Sequence, residues 1–558
     1  MPNQESKKRN ALVFGLVFIM AVLTQALTFT LIPDGQLNDD AAYVLRAMKL
    51  AFPHRFDFLR SAPTDYPFGW PLVLVPFYWL SDQFYTIGRL VAVVLTGLTS
   101  MLLFSIFKEK TNSGWTAAGI VLLFLHSPRV MMLGSSLMTE PFCYFLILLS
   151  VFLFYRTRST EGFLLLGLLG AWCMATRMEG LALVLAMLVS TWRVKDLKSP
   201  FFAYLGGFLT TTLALRLLLA DANQQSRLFS VFSFFKDKST GELLGYPFFY
   251  LKHNSFHALA SVFGELPSLF VIVLFLLPAA GVLRLKAGPA RALSQASKDP
   301  LLLWIFIYPA IIAPWPYFNS RYWALWTVVA LSLALTALPI KARTAALSLL
   351  LVLQLPSAVE SYRLGPISSR FQKQIYLPFY RSLGQARRVM TLHSTRVATL
   401  SFVATEEPLW LKDFQSLPIG MAYKECDVIE WEVSDRNIKT YTGEQARPFP
   451  PQALEGLRRS RLFEPYQTSP FAEAFRLTAD PLALKQAGSL YSQALQSDNL
   501  QERKQLLEQA LNLVDDLPET RRTYAETLLA LNPEDPKGME ILQALYEQYP
   551  YLEESLQR

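Results

Sequence analysis

The sequence predicts a polytopic α-helical membrane protein that continues into a soluble C-terminal region. Of its 558 residues, 52% are hydrophobic and only 17% are charged, which is typical of membrane spans joined to a soluble part. Apolar runs about as long as a membrane span recur between residues 11 and 356 and then stop. The sequence therefore predicts a membrane domain over 1–359, a soluble α/β region over 360–475 and a helical region over 476–558.

The distribution of positive charge predicts the topology. Lys7, Lys8 and Arg9 precede the first apolar run, and positive flanks stay in the cytoplasm. The runs give about eleven spans, and alternation along them collects most loop Lys and Arg on the side of the N-terminus. The predicted spans are 11–32, 84–107, 114–128, 135–155, 162–176, 180–192, 201–220, 267–283, 300–313, 322–339 and 344–356. This arrangement predicts a multi-pass protein of the cell membrane with a cytoplasmic N-terminus and an extracytoplasmic C-terminus.

The net charge of +8 does not indicate a nucleic-acid partner. Residues 1–359 hold 29 Lys and Arg against 17 Asp and Glu, whereas residues 360–558 hold 23 against 27. The excess lies in the membrane domain, where short cytoplasmic loops account for it. The cysteines predict no disulfide framework, because Cys143 and Cys173 fall inside apolar runs and Cys426 stands alone.

The segments outside the predicted spans have patterns of their own. The long outer loops are 33–70 and 221–266, and the second interleaves aromatic residues with serines, which suits an interfacial segment or a lid over a lipid substrate. A strand-like run over 397–403 predicts a small α/β unit. From about residue 481, apolar residues recur at helical spacing, which fits tetratricopeptide-type repeats or a plain helical bundle equally well. The 476–558 region is thus a candidate site for a protein partner.

Acidic residues are predicted at the outer membrane face in two places. Asp39 and Asp40 follow the first span, where a carboxylate can act as general base for a substrate hydroxyl. The alternative is that Asn38 or Asp39 only caps the helix that runs to Leu50. Glu140, between Thr139 and Pro141, begins the fourth span. It is either a functional site residue or a carboxylate that only complements the positive end of the helix dipole.

Arginines are predicted at the same face. Arg177 and Arg321 lie in short outer loops, where a planar guanidinium can bind phosphate or merely extend toward the membrane edge. Arg89, within a span, is a weaker candidate for the same role. The histidines lack metal-ligand spacing, so no metal or other cofactor is predicted. The chain also lacks a glycine-rich phosphate loop, and this absence argues against a nucleotide substrate.

Six short motifs follow one another over about residues 11–340. They are Asp39-Asp40-Ala-Ala-Tyr43, Tyr66-Pro-Phe-Gly-Trp-Pro-Leu72, Arg89, Thr139-Glu-Pro141, Thr176-Arg-Met-Glu-Gly180 and Arg321-Tyr322. Their order resembles the multi-spanning glycosyltransferases of the GT-C type. Within that type, the resemblance is to bacterial members similar to protein O-mannosyltransferases and to the lipid A aminoarabinose transferase.

The resemblance implies a GT-C membrane domain, a polyprenyl-phosphate sugar as donor and membrane lipid as surroundings. It matches Asp39 to the catalytic acid of the family, with Asp40 beside it, and Glu140 to a second acidic position that helps to place acceptor or donor. The candidate substrate-binding residues of the chain are Tyr43, Tyr66, Arg89, Glu140, Arg177, Arg321 and Tyr322. Tyr66 stands before a single Pro67 where the aminoarabinose transferases carry a Lys before a Pro pair.

We therefore predict an inverting glycosyltransferase that moves a sugar from a polyprenyl-phosphate donor to an extracytoplasmic protein, lipid or glycan, with Asp39 as base. The alternative is a polytopic transporter or flippase of lipid-linked saccharides. Such a protein is expected to bury charges near the bilayer midplane and to show internal repeats. In this chain the candidate ionisable residues collect at one membrane face instead.

Overall fold

The structure is a computed structural model, and it is mostly helical. It describes residues 4–29, 31–35, 39–59, 67–194, 198–219, 261–263, 297–312, 320–391, 394–406, 416–432 and 452–550. The chain divides into two compact units. The first comprises Met1–Pro53 and Ala62–Arg370, and the second comprises His54–Ser61 and Phe371–Arg558. Tyr66, the loop predicted over 221–266 except for residues 261–263, and the span predicted over 267–283 lie outside the described residues.

Helices make up the described part of the first unit. They are α1 (Gln4–Leu27), α2 (Asp39–Ala51), α3 (Gly69–Tyr78), α4 (Phe84–Thr111), α5 (Gly114–Leu125), α6 (Pro128–Leu133), α7 (Glu140–Arg156), α8 (Thr160–Thr176), α9 (Gly180–Val194), α10 (Lys198–Leu219), α11 (Pro300–Ile312), the 3-10 helix Ser320–Trp323, α12 (Ala324–Thr336) and α13 (Ile340–Phe371). Among the residues described, two helical stretches, Phe84–Thr111 and Ile340–Leu383, are long and apolar enough to cross a membrane. Several other apolar helices are 10–17 residues long, so the count of eleven spans stays a prediction.

Helices α8 and α10 approach each other at glycines. A Cβ atom added at Gly167 would lie 2.1 Å from the carbonyl oxygen of Tyr204, and one added at Gly207 would lie 2.2 Å from that of Leu164. Both contacts are with backbone, which cannot move aside as a side chain can. Small residues at such positions let membrane helices pack at close range. This packing fixes α8, whose C-terminal end leads directly into the loop that carries Arg177.

The second unit contains a five-stranded mixed sheet. After a π-helical turn (Gln372–Tyr376), its elements are α14 (Leu377–Leu383), β1 (Arg388–Thr391), α15 (Ser394–Ser401), β2 (Ala404–Glu406), α16 (Ser416–Tyr423), β3 (Val428–Glu432), α17 (Gln452–Arg459), β4 (Phe463–Thr468), β5 (Ala472–Leu477), α18 (Pro481–Gln496), α19 (Leu500–Leu513), α20 (Pro518–Leu531) and α21 (Pro536–Gln548). The strand order is β2-β1-β3-β5-β4. β1 pairs parallel with β2 and β3, while β5 pairs antiparallel with β3 and β4.

One strand predicted from the sequence is wrong. The run 397–403 was expected to be extended, but Ser394–Ser401 forms helix α15, with Val397 and Ala398 fully buried. The reason is topological. β1 and β2 are parallel neighbours, so the chain has to cross over between their ends, and such a crossover usually contains a helix. A short apolar run fits a buried helix as well as a strand, which is why periodicity alone misassigned it.

The C-terminal helices continue the apolar core of the second unit. Consecutive helices from α18 to α21 pack against each other, and Leu484 and Leu545 join the same buried cluster as Ile429 of β3 and Phe475 of β5. Helices α18, α19 and α21 begin at side-chain caps from Asp480, Asn499 and Asp535. Paired helices of this kind suit either short tetratricopeptide-type repeats or a small bundle.

Candidate functional site

Asp39 begins helix α2, which is buried along most of its length. Its side chain accepts a hydrogen bond from Nη2 of Arg321, with 2.8 Å between that nitrogen and Oδ2. Asp39 is only 7% exposed. A carboxylate at this depth needs a charged partner, and Arg321 supplies it from a segment 282 residues further along the chain.

Asp40 has a different role in the structure. Its Oδ2 accepts a hydrogen bond of 2.8 Å from the backbone N–H of Gly35, which has a φ of 73° that favours glycine. The preceding residue, Asp34, accepts from Nε of Arg89 at 2.6 Å, and Arg89 also donates to the carbonyls of Phe29 and Ile32. Asp40 and Arg89 therefore hold the described segment 31–35, which precedes α2 in the chain. The hydrogen-bond partners described for Arg89 are Asp34, Phe29 and Ile32, whereas Asp39 and Glu140 contact Arg321 and Arg177.

Glu140 begins helix α7 and is 1% exposed. Its Oε1 lies 2.5 Å from Nη1 of Arg177 and 3.7 Å from Nε of Arg321. Pro141 occupies the first turn of α7. Thr139, which precedes the helix, makes no side-chain cap and accepts a hydrogen bond of 3.1 Å from Nη1 of Arg177. The start of α7 is thus built around Arg177.

Arg177 follows the last residue of α8 and is held from several sides. Its Nε and Nη2 donate to the two carboxylate oxygens of Glu179, at 3.2 Å and 2.7 Å, in the bidentate geometry that matches a guanidinium to a carboxylate. Burial acts to raise the pKa of Glu179, but the Arg177 guanidinium outweighs it and lowers that pKa below its usual value. Glu179 therefore stays ionised and fixes the orientation of Arg177.

Arg321 and Tyr322 lie in the 3-10 helix that precedes α12. The ring of Tyr322 is contacted by both guanidiniums, with the Arg177 carbon 4.9 Å and the Arg321 carbon 5.1 Å from the ring centroid. Tyr144 donates to the backbone carbonyl of Arg321, and Tyr308 donates to that of Tyr322. Hydroxyls from α7 and α11 thus fix the backbone that presents Arg321.

We call Asp39, Glu140, Arg177, Glu179 and Arg321 the carboxylate–arginine cluster. Each carboxylate in it contacts an arginine, and Glu140 approaches both arginines. Two cavities adjoin the cluster. One is lined by residues that include Tyr43, Pro67, Met138, Thr139, Ile312 and Tyr322, and the other by residues that include Cys143, Tyr144, Trp304, Tyr308, Leu325 and Trp326. Arginines 177 and 321 line both cavities, so a molecule in either would meet the cluster.

The structure brings together most of the site residues that the sequence singled out. Arg321 contacts Asp39, Glu140 and Tyr322, Arg177 contacts Glu140 and Tyr322, and Tyr43 lines the adjoining cavity. Sequence reasoning missed Glu179 as a member. The signal was present, because Glu179 is the acid of the Thr-Arg-Met-Glu-Gly motif, two residues after Arg177.

Within the described ranges, no group of three or more His, Cys, Asp and Glu side chains is placed to hold a metal ion. The carboxylates of the cluster instead contact guanidiniums. The arrangement can therefore accept a proton at a carboxylate and neutralise an anion at an arginine, within one buried region.

Comparisons with known proteins show likeness in structure alone. No protein-family model matches the chain, and no curated protein does. ArnT from Cupriavidus metallidurans in the apo state matches with a TM-score of 0.53 at 12% identity, covering 82% of this chain and 97% of that chain. The same ArnT bound to undecaprenyl phosphate matches with a TM-score of 0.51 at 11% identity, covering 84% and 98%. The chain has the GT-C fold.

A third match is the oligosaccharyltransferase from Archaeoglobus fulgidus, in a complex with zinc and sulfate. Its TM-score is 0.46 at 12% identity, and the match covers 93% of this chain and 86% of that chain.

The GT-C fold expected from the ordered motifs is confirmed by the two ArnT structures, each of which the chain covers almost completely. In this GT-C fold, the carboxylate–arginine cluster is assembled from the N-termini of α2 and α7, the α8–α9 loop and the segment before α12.

Proposed function

We propose that this chain is an inverting glycosyltransferase that moves a sugar from a polyprenyl-phosphate donor to an extracytoplasmic acceptor. The proposal is carried by the convergence of Asp39, Glu140, Arg177 and Arg321 from four segments of a GT-C fold. A base and two phosphate-binding groups are the elements that such a transfer needs. The structure of ArnT bound to undecaprenyl phosphate supports the choice of a lipid phosphate.

The proposed reaction is a single displacement. The acceptor hydroxyl attacks the anomeric carbon of the sugar while the bond from that carbon to the phosphate oxygen breaks. Asp39 takes the proton of the hydroxyl, and polyprenyl phosphate departs with the bonding electron pair. Attack from the face opposite the leaving group inverts the anomeric configuration. A positioned base of this kind contributes about 10²–10⁴-fold to a rate.

The departing phosphate is the second charge that the site has to stabilise. Arg321 and Arg177 present guanidiniums that are already oriented, because Glu179 holds Arg177 and Tyr322 packs against both. Donors that need no reorientation stabilise developing charge most effectively. Glu140 approaches both arginines and so sets the distance between them.

The sugar is proposed to bind against Tyr43 and Tyr322, which line a cavity of about 30 Å³ that has to widen to admit it. A tyrosine offers an apolar ring face and a hydroxyl, which suits a sugar that is polar at its edges. Tyr66 is proposed to contact the sugar as well. Arg89 and Asp40 are assigned to the loop before α2, which keeps Asp39 in place.

The membrane arrangement is part of the proposal. The N-terminus is cytoplasmic, the chain crosses the membrane about eleven times, and the cluster faces the extracytoplasmic side, as loop charges predict. The C-terminal region is then extracytoplasmic, and its helices over 476–558 are the proposed site for a protein partner. The acceptor is a protein, lipid or glycan at the membrane surface.

The donor class is testable with purified protein. We expect the protein, reconstituted in lipid nanodiscs, to release polyprenyl phosphate from polyprenyl-phosphate hexoses or pentoses when a detergent extract of the cell envelope supplies the acceptor. Lipid mass spectrometry measures the release. Nucleotide sugars with the same sugars serve as the matched control and should remain intact, because the chain carries no glycine-rich phosphate loop.

Two outcomes contradict this donor assignment. One is sugar transfer from the nucleotide sugar without consumption of the lipid-linked one. The other is movement of the lipid-linked sugar between leaflets of a vesicle with the glycosidic bond intact, which is the behaviour of a transporter.

A further inference from the structure

The proposed base and a proposed phosphate-binding group are ion-pair partners of each other. Nη2 of Arg321 lies 2.8 Å from Oδ2 of Asp39. Both side chains are largely buried. Solvent screens a buried ion pair only weakly. The electrostatic interaction between the two charges is therefore strong.

The ion pair opposes both proposed roles. Oδ2 of Asp39 already accepts a hydrogen bond from Nη2 of Arg321, so while the pair is formed that oxygen is not open to the proton of an acceptor hydroxyl. A guanidinium that already faces a carboxylate attracts a phosphate less strongly. The carboxylate–arginine cluster contains three carboxylates and two guanidiniums, so a phosphate entering it would also add to an excess of negative charge.

We propose that the donor phosphate displaces Asp39 from Arg321, so that Asp39 becomes an effective base only after the donor has bound. This inference rests on the proposed function and deepens it. The planar fork of an arginine binds phosphate as well as carboxylate, and the incoming group is therefore a direct competitor of Asp39. Tyr322 stacks on Arg321 and keeps the guanidinium in place during the exchange.

Arg177 is not expected to exchange partners in the same way. Two of its nitrogens are bound to Glu179, and the third contacts both Glu140 and Thr139. Arg177 is therefore proposed to keep these contacts and to stabilise the donor phosphate through its nearby positive charge, while Arg321 is the arginine that changes partner. Arg321 contacts Asp39 closely, while its Nε lies 3.7 Å from Glu140. In the described contacts Asp39 and Arg321 meet through one nitrogen and one carboxylate oxygen, and we assign the exchange to this pair.

The exchange gives the reaction an order. The donor binds and its phosphate takes Arg321. Asp39 then accepts the proton of the acceptor hydroxyl as the new glycosidic bond forms and the bond to the phosphate breaks. Polyprenyl phosphate leaves Arg321, Asp39 loses its proton to solvent, and the ion pair forms again. A base that is held by arginine until the donor arrives does not act on acceptor alone.

The test is the affinity for undecaprenyl phosphate, the product of the proposed reaction, measured on protein in nanodiscs by isothermal titration calorimetry. Asp39 competes with phosphate for Arg321, so Asp39→Asn removes the competitor. The variant should bind undecaprenyl phosphate about tenfold or more tightly than the wild type, which is the effect expected from one close charge pair. Asp40→Asn is the matched control, since it removes the adjacent carboxylate, which binds Gly35. It should tighten binding markedly less than Asp39→Asn, because the carboxylate it removes accepts from the Gly35 N–H and the one that Asp39→Asn removes accepts from Arg321.

The outcomes are distinguishable. Unchanged or weaker binding by Asp39→Asn overturns the exchange and leaves the proposed function standing, as does equal tightening by both variants, which would indicate a general charge effect. Absence of binding by the wild type overturns the proposed function itself. Asp39→Ser, which also retains a residue suited to a helix N-terminus, repeats the measurement with a different side chain and should tighten binding in the same direction.

Discussion

Asp39→Asn is expected to lower the rate of sugar transfer by about 10²–10⁴-fold, the contribution typical of a positioned general base. The amide has the shape of the carboxylate but cannot take up the proton of the acceptor hydroxyl. Asparagine also begins helices about as well as aspartate, so α2 should keep its position. The measurement is initial-rate transfer from a polyprenyl-phosphate sugar, with thermal unfolding and gel filtration to establish that the variant is folded.

Asp40→Asn is the comparison that separates chemistry from local structure. Asp40 accepts a hydrogen bond from the Gly35 N–H, and an amide oxygen can accept the same bond, so the loss of activity should be much smaller than for Asp39→Asn. An inactive Asp40→Asn beside an active Asp39→Asn would mean that the base within the pair is misassigned. Full activity of the double variant would rule out a carboxylate base at this position.

Arg321→Gln is expected to lower kcat/KM for the lipid-linked donor by about 10²–10³-fold, as found when one preorganised donor to a developing charge is removed. The substitution removes the guanidinium that faces the departing phosphate. Arg321→Lys restores the charge but not the planar fork, so it should recover only part of the loss. Both a higher KM for the donor and a lower kcat are expected, because the phosphate is bound before the reaction and gains charge during it.

Arg158→Gln serves as the control for loss of a positive charge, because the Arg158 side chain is exposed and donates to the neighbouring carbonyls of Tyr155 and Thr157. Its kcat/KM should match that of the wild type. The assignment of Arg321 fails if Arg321→Gln retains wild-type kcat/KM, or if the loss appears equally with Arg158→Gln.

The sequence was sufficient to predict the parts of the site that carry unusual charge. Asp39, Glu140, Arg177 and Arg321 are ionisable residues next to apolar runs, where ionisable groups are costly, and this contrast makes them visible without a structure. Their pairing was not predictable. Asp39 and Arg321 are separated by 282 positions, and no periodicity relates them. The individual contacts of Glu140 with Arg177 and Arg321 required the packing of α7 against its neighbours.

The contacts of Arg89 and Glu179 were harder to predict from the sequence. Arg89 looked like a phosphate ligand because it is an arginine in an apolar span, yet it binds Asp34 and the carbonyls before α2. Glu179 looked unremarkable because it lies in a short loop, yet it orients Arg177. Residue type indicates what a side chain is able to bind, whereas the partner depends on which segments the fold brings together.

In the second unit, too, some features follow from the local sequence and others depend on packing. Apolar spacing beyond residue 481 predicted helices, and α18–α21 are helices, of which α18, α19 and α21 begin at side-chain caps. The run 397–403 was misassigned because its conformation depends on the parallel pairing of β1 with β2, which no local pattern reports. Long periodic segments are determined locally, while a short apolar run takes the conformation that the sheet around it requires.

The most direct test of the account is the anomeric configuration of the transferred sugar, determined by NMR spectroscopy of the isolated product and of the polyprenyl-phosphate donor. The account has one displacement at the anomeric carbon, with Asp39 as base and the lipid phosphate as leaving group. It therefore predicts that the configuration in the product is the opposite of that in the donor. Retention of configuration would require two successive displacements through an intermediate, and it would contradict the role assigned to Asp39 and with it the mechanism proposed for the cluster.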